Sequence, residues 1–279
     1  MKKSFLLLLP LLLASLFSIS CSKTDDLSSR TPSDTDPQPD AYPDQTIQSK
    51  TFTVGGVSFN MMLVEAGTFT MGANHQPDDP FDDEQPAHLV TLTNDYYLGQ
   101  TEVTQDLWQA VMGSNPSDFK DLYLPVEKVS WYDCHEFIRR LTDSTGCHFR
   151  LPTEAEWEFA ARGGNNSSGC RYAGSNNLDE VAWYGANSHR RTNPVGVKRP
   201  NELGLYDMNG NVFEWCQDGY GPYSSAPQTN PSGPADAPFR VLRGGSWISL
   251  ALYCRIPKRD ANTPDFSFGN IGLRLALSD

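Results

Sequence analysis

Beyond its first residues this 279-residue chain has no apolar run of membrane length, and it is poor in positive charge. Lys and Arg number 22 against 34 Asp and Glu, a formal net charge of −12. A surface of that sign repels nucleic acid and anionic lipid, which excludes both as partners, and it favours solubility. The chain has six cysteines, and none are spaced as CxxC, which argues against a zinc or thioredoxin-type redox site. The histidines (His75, His88, His135, His148 and His189) show no ligand spacing. His135-Glu136 lacks the second histidine, four residues on, of a zinc-protease helix. Neither a GxSxG elbow nor a phosphate-binding glycine loop is present. Long periodic runs are also missing after Gly163, where Gly, Asn, Pro and aromatics dominate. A half built that way needs something besides hydrogen-bonded ladders to hold it. Large aromatics, metal or disulfides are the available means.

What is present begins with an export signal. Lys2 and Lys3 precede an apolar run from Phe5 to Phe17, which gives way to Ser18-Ile19-Ser20-Cys21. That run is short of the roughly 20 residues a spanning helix needs. The small residues and cysteine resemble a bacterial lipobox, with Ser18 where Leu is usual, and make Cys21 the expected lipidation site. From Ser22 to about Lys50 the chain is Ser, Thr, Asp, Pro and Gln, a stalk with almost nothing to bury. The expected organisation is a signal peptide over 1–20, a lipidated Cys and disordered linker over 21–50, and one domain over 51–279. Loss of Lys2 and Lys3 with the signal moves the formal net charge from −12 to −14. The protein is thus expected to be an exported, membrane-anchored lipoprotein of the bacterial envelope, touching the membrane through its lipid alone. An exported compartment permits disulfides. With Cys21 acylated, Cys134, Cys147, Cys170, Cys216 and Cys254 remain, an odd number that leaves at least one thiol free or paired outside the chain.

The domain opens with strand patterning. Thr51–Val54 and Val57–Phe59 flank Gly55-Gly56, a two-residue hairpin turn. Met62–Val64, Thr68–Met71 and His88–Leu98 continue it, with an acidic loop from Pro77 to Pro86. Three helices follow: Gln105–Met112 after Thr104, one from Ser130 to about Leu141, and one opened by the capping box of Thr153 and Glu156 and stopped by Gly163.

Four motifs then become specific: Arg150-Leu151-Pro152-Thr153-Glu154-Ala155-Glu156-Trp157-Glu158, Gly204 to Trp215 (GLYDMNGNVFEW), Arg243-Gly244-Gly245-Ser246-Trp247, and Asn270-Ile271-Gly272-Leu273-Arg274. In this order they resemble the formylglycine-generating enzyme (sulfatase-modifying factor) family from about Phe59 to Leu277. The resemblance implies an α+β fold, irregular and C-type-lectin-like, with little regular secondary structure. It also implies a structural calcium site at Asp207, Gly210, Val212 and Glu214, where two carboxylates and two carbonyls supply the oxygen ligation that suits Ca²⁺. A polar turn with Glu214 bonded to backbone is the alternative reading of those residues. A second family calcium site would begin near Asn187, but its completing acidic loop is not recognisable.

The family's chemistry uses copper held by two thiolates five residues apart, and soft thiolates suit Cu(I). Those positions are Ser249 and Cys254, so copper is not expected; Cys254 and Ser246 are the catalytic candidates if the chain is an enzyme. A disulfide between Cys216 and Cys254 is a further expectation, worth a few kcal/mol in general. Between framework positions that match the family lie Ile248, Ser249, Leu250, Leu252, Tyr253, Ile256, Pro257, Asp260, Ala261, Asp265, Phe266, Ser267, Phe268 and Gly269. Each can be encoded by a codon ending in pyrimidine, as asparagine is. The stretch therefore resembles the variable region of proteins targeted by diversity-generating retroelements. Exposed aromatics there would anchor a protein or glycan ligand. The leading expectation is a non-catalytic binding lipoprotein with this variable face; a formylglycine-generating-type oxidoreductase and a structural part of an envelope gliding or secretion machine are the rivals.

Overall fold

A computed structural model describes residues 47–73 and 81–278. The signal segment, Cys21, most of the stalk and His75 lie outside the described residues. Among the described residues no helix is long and apolar enough to cross a membrane.

The first hairpin forms where two glycines predict it. Strand β1 (Ser49–Val54) pairs antiparallel with β2 (Val57–Val64), and Val54 faces Val57. Gly55 and Gly56 both have positive φ, 57° and 83°, which only glycine adopts without strain in consecutive turn positions. The predicted strand over His88–Leu98 is in fact two, β4 (His88–Leu92) and β5 (Tyr96–Gly99), broken by the polar Thr93-Asn94-Asp95 turn. β3 (Gly67–Met71) pairs with β4, and β2 with β5. Near the C-terminus β14 (Ala276–Ser278) lies between β5 and β6 (Phe149–Arg150), joining the end of the domain to its beginning in a five-stranded sheet. A second sheet takes β12 (Arg259–Asn262), β11 (Arg240–Arg243), β9 (Phe213–Gly219) and β13 (Ile271–Gly272) in that order.

Helix α1 (Gln105–Met112) begins after Thr104, although the Thr104 hydroxyl bonds the Asp106 carboxylate rather than a backbone N–H. Helix α2 (Trp131–Thr145) runs one turn past the expected Leu141, its start fixed by a capping box of Ser130 and Asp133. Helix α3 (Glu154–Ala161) has the predicted box of Thr153 and Glu156. Two apolar clusters follow from these faces. Trp157, Phe159 and Ala160 of α3 pack with Met71 and Val90, while Leu107, Trp108, Phe137 and Leu141 of α1 and α2 pack with Met61, Phe149 and Leu277. A third, smaller cluster holds Tyr172, Leu178, Val181, Ala182 and Cys254.

The loop-rich half is held by arginine. Arg243 and Arg259 both donate to Glu154, at 3.1 and 2.6 Å, and Arg243 also reaches Glu158 at 2.6 Å. Arg255 grips Glu84 at 2.7 Å, and Arg274 grips Glu214 at 2.7 Å. All of these side chains are buried, so removing one partner strands a charge in the interior, a loss of about 3–5 kcal/mol. The expected Cys216–Cys254 disulfide is absent. Both thiols are free and buried in different apolar clusters, Cys216 beside α3 and Cys254 in the third cluster. Cys134, Cys147 and Cys170 are free as well.

Candidate functional site

The turn that the sequence singles out between Asp207 and Glu214 is fully interior. Asp207 (φ 56°) accepts the Gly196 N–H at Oδ2, 2.7 Å, and its Oδ1 is buried without a partner. Glu214 is fully occupied: its carboxylate takes Arg274 at 2.7–3.1 Å and the Trp157 indole N–H at 2.7 Å. A third carboxylate, Glu102, accepts from Asn211 Nδ2 at 2.9 Å and from the Val212 N–H at 3.2 Å. Three buried carboxylates thus share one guanidinium. Burial pushes Asp207 up to about 6, with Glu214 adding to it, and burial followed by the Asp207 and Glu214 charges raises Glu102 well above the usual carboxylate range. The orphaned Asp207 oxygen beside two further buried carboxyls is the feature that fits a cation, whose binding would draw their protons off. The fit rests on Asp207 and Glu102 more than on Glu214, whose lone pairs are already engaged. Gly210 donates its N–H to Gly244 O at 2.8 Å and pairs in β8 (Asn209–Gly210) with β7 (Ala182–Trp183). Asn187 accepts from Tyr184 N and donates to Ala182 O and, at 3.3 Å, to the Asp179 carboxylate. Among the described residues no group of three or more His, Cys, Asp or Glu side chains is arranged to hold a metal.

The two copper-equivalent positions do come together. The Ser246 N–H donates to Ser249 Oγ at 3.0 Å and also lies against the Cys254 thiol. Ser246 Oγ is 3.2 Å from Ser249 Oγ and accepts from Asn270 Nδ2 at 3.1 Å. This is a closed cluster of neutral hydroxyls around one thiol. Burial pushes that thiol up to about 12, so a thiolate ligand is disfavoured as well as unpaired.

The C-terminal stretch splits into outward and inward residues. Ile248, Leu250, Tyr253, Asp260, Asp265, Phe266, Ser267 and Phe268 are exposed, Leu250 at 65%. Leu252, Pro257 and Ala261 are half-buried. Two positions expected on the face do not belong to it. Ile256 is 1% exposed and packs with the α3 cluster, and Ser249 is turned into the hydroxyl cluster. The exposed parts are tied together from below: Trp247 Nε1 donates to Gly269 O at 2.8 Å, so the segment bearing Ile248 and Leu250 lies against the one bearing Phe266 and Phe268. The two phenyl rings stack at 6.3 Å, and Tyr253 stacks on Phe81 at 5.4 Å with Lys258 above Phe81 at 4.0 Å.

Residues 50–278 match the family of the Sulfatase-modifying factor enzyme 1-like domain. The chain belongs to the sulfatase-modifying factor family. The chain is similar to Chaperone protein LppX of Paenibacillus barcinonensis, 36% identical over 74% of this chain and 86% of that protein. The formylglycine-generating enzyme of Streptomyces coelicolor is 42% identical over 54% of this chain, but the match spans only 52% of that enzyme. Among solved structures, Treponema denticola variable protein 1 superposes with a TM-score of 0.77 at 35% identity, covering 84% of this chain and all of that one. PvdO from Pseudomonas aeruginosa follows at 0.69 and 27% identity, covering 79% and 94%. The mixed sheets and few helices are the irregular α+β, C-type-lectin-like fold expected of the sulfatase-modifying factor family.

Sequence reasoning missed Glu102 and the carboxylate partners of the arginines. Glu102 sits in Thr101-Glu102-Val103-Thr104 with no periodic pattern around it. A glutamate between an exposed-looking threonine and a valine gives no local sign of burial; only the distant Asn211 and Arg274 explain it.

Proposed function

We propose that this chain is a non-catalytic, surface-displayed binding lipoprotein, acylated at Cys21, whose exposed C-terminal face contacts a protein ligand. The observation that carries the reading is the joining of two loop segments that present Ile248, Leu250, Tyr253, Phe266 and Phe268 outward. Isolated apolar residues on a surface are ordinary, whereas a grouped set of aromatic and aliphatic side chains marks a contact site. Aliphatic Ile248 and Leu250 favour a protein over a glycan, because they offer packing without hydrogen bonds. Similarity to a chaperone and to a variable protein supports binding as the activity. The same likeness supports variation at the outward positions, and the export signal supports placement on the envelope.

Catalysis of the formylglycine-generating kind is disfavoured by Ser249. A neutral hydroxyl is a poor Cu(I) ligand, and Cys254 remains a protonated thiol at neutral pH. The test is direct. The full-length protein in detergent, supplied with copper and a cysteine-containing sulfatase peptide, should leave the peptide mass unchanged; conversion of the cysteine to an aldehyde would refute this reading.

Calcium is the proposed structural ion, held by the Asp207 carboxylate with the Gly210 and Val212 carbonyls and with Glu102 and Glu214 nearby. Its role is to compensate negative charge that Arg274 alone does not balance. A chelator should lower the melting temperature of the wild type, and Asp207→Asn should remove that dependence on calcium. An equal response of wild type and variant places any calcium elsewhere.

A further inference from the structure

A cleft of about 320 Å³ opens where the N-terminus of α3 meets β9 and the glycine- and proline-rich loop after it. None of the exposed apolar residues of the C-terminal face lines it. The volume is at the small end of the roughly 300–1,000 Å³ typical of ligand sites. Its ionic groups are already satisfied by one another. Arg259 gives Nε and Nη2 to Glu154, at 2.6 and 2.8 Å, and Nη1 to the Asp83 and Gly221 carbonyls, both at 3.0 Å, while Tyr223 donates its hydroxyl to the Glu154 carboxylate at 3.2 Å. What remains to meet a ligand is neutral hydrogen-bonding capacity. His88 donates Nδ1–H to Pro86 O at 3.0 Å, which leaves Nε2 as the ring's acceptor. Asp218 accepts the Glu154 N–H at Oδ2, 2.9 Å, and has no second protein partner among the described residues. Gln228 and Ser232 add further donors and acceptors at the rim. Met71, Pro222, Pro231 and Pro234 supply flat apolar walls.

We propose that this cleft binds a pyranose ring, its hydroxyls bridging Asp218, His88 and Gln228 while its C–H faces pack on the proline walls. The complement is a neutral polyol and not an ion, because Arg259, Arg243, Glu154 and Glu158 close their charges on each other. Asp218 supports the assignment: burial, followed by the Glu154 and Glu156 charges and only partly offset by the Glu154 N–H and Arg259, pushes it up to about 8. At neutral pH it is therefore an O–H donor lining the same cleft as the His88 imidazole acceptor, and sugar hydroxyls can bond to each. Other titratable groups around the cleft are His88 and Tyr223.

The experiment is ligand-observed NMR with full-length protein in detergent against a panel of hexoses and N-acetylhexosamines, each free and as the terminus of an oligosaccharide. At least one pyranose should bind saturably and weaken as pH rises past about 8. Preference for the free sugar identifies a small solute; preference for the terminus identifies a glycan chain. Gln228→Ala, at the half-exposed rim, should weaken binding about fivefold, and Asp218→Leu should abolish it. Asp218→Asn, which keeps a donor, should retain binding and remove the alkaline loss. If Asp218→Leu does not fold, Gln228→Ala and Asp218→Asn still decide. Leu250→Asp on the C-terminal face should leave sugar binding unchanged, so failure of that face and failure of this cleft are separate results. No binding by any sugar, or binding indifferent to Gln228 and Asp218, overturns the proposal.

Discussion

At the scale of single residues, two buried carboxyls make measurable predictions. Asp218 has a folded pKa of about 8, above its ordinary value, so the folded state holds that proton more tightly than the unfolded chain. Its contribution to stability is complete below the usual carboxylate range and is lost as pH rises through about 8. The melting temperature should therefore fall between about pH 5 and about pH 8, and Asp218→Asn should flatten that slope. A slope of the same size in the variant would assign the effect to other groups. Glu127 offers a gain instead. Its Oε1 accepts from the Asp118 and Phe119 N–H groups at 2.5 and 2.9 Å, while Oε2 is buried and unpartnered. A Cβ at Gly269 would stand 3.5 Å from that oxygen and 3.2 Å from the exposed, movable Asp118 carboxylate. Gly269→Ser should place a hydroxyl on Glu127 and stabilise by about 1 kcal/mol, or about 2–4 °C. A lower melting temperature would show that Asp118 does not give way.

Among elements, the contrast lies between the framework and the outward residues of the same segment. Arg243 on β11 joins Glu154 and Glu158 of α3 and also donates to the Ile256 and Pro257 carbonyls. Arg243→Met leaves two buried glutamates under-paired and should cost about 3–5 kcal/mol in chemical denaturation. Leu250→Asp and Phe268→Ala touch no such network, and each should change stability by about 0.5 kcal/mol or less while weakening ligand binding at least tenfold. The converse pattern, unfolding on changing Leu250 or Phe268, would make those side chains core. Elements of this kind were unevenly legible. The Gly55-Gly56 turn and the Thr153/Glu156 box depend on neighbours in sequence, so the pattern alone located them. Ile256 and Ser249 could not be sorted from Leu250 because a loop has no period from which to read a buried side. The expected disulfide failed for the same reason: nothing local indicates that Cys216 and Cys254 occupy different clusters.

For the whole molecule, family and fold were legible because four motifs in order carry the framework. The glue of the second half was not. Arg255 and Glu84 are 171 residues apart, and Arg274 and Glu214 are 60 apart, distances over which no spacing rule operates. The resulting architecture divides the stretch in two: buried arginines fix its backbone, and outward side chains such as Leu250 and Phe268 are exposed. The most direct measurement is site-specific photocrosslinking in cells, with a photoreactive residue at Leu250 or Phe268 and, as controls, at exposed Tyr132 or Val197. Leu250 and Phe268 should capture one and the same partner while both controls capture none of it; capture of that partner at Tyr132 or Val197 alone would contradict a C-terminal contact face.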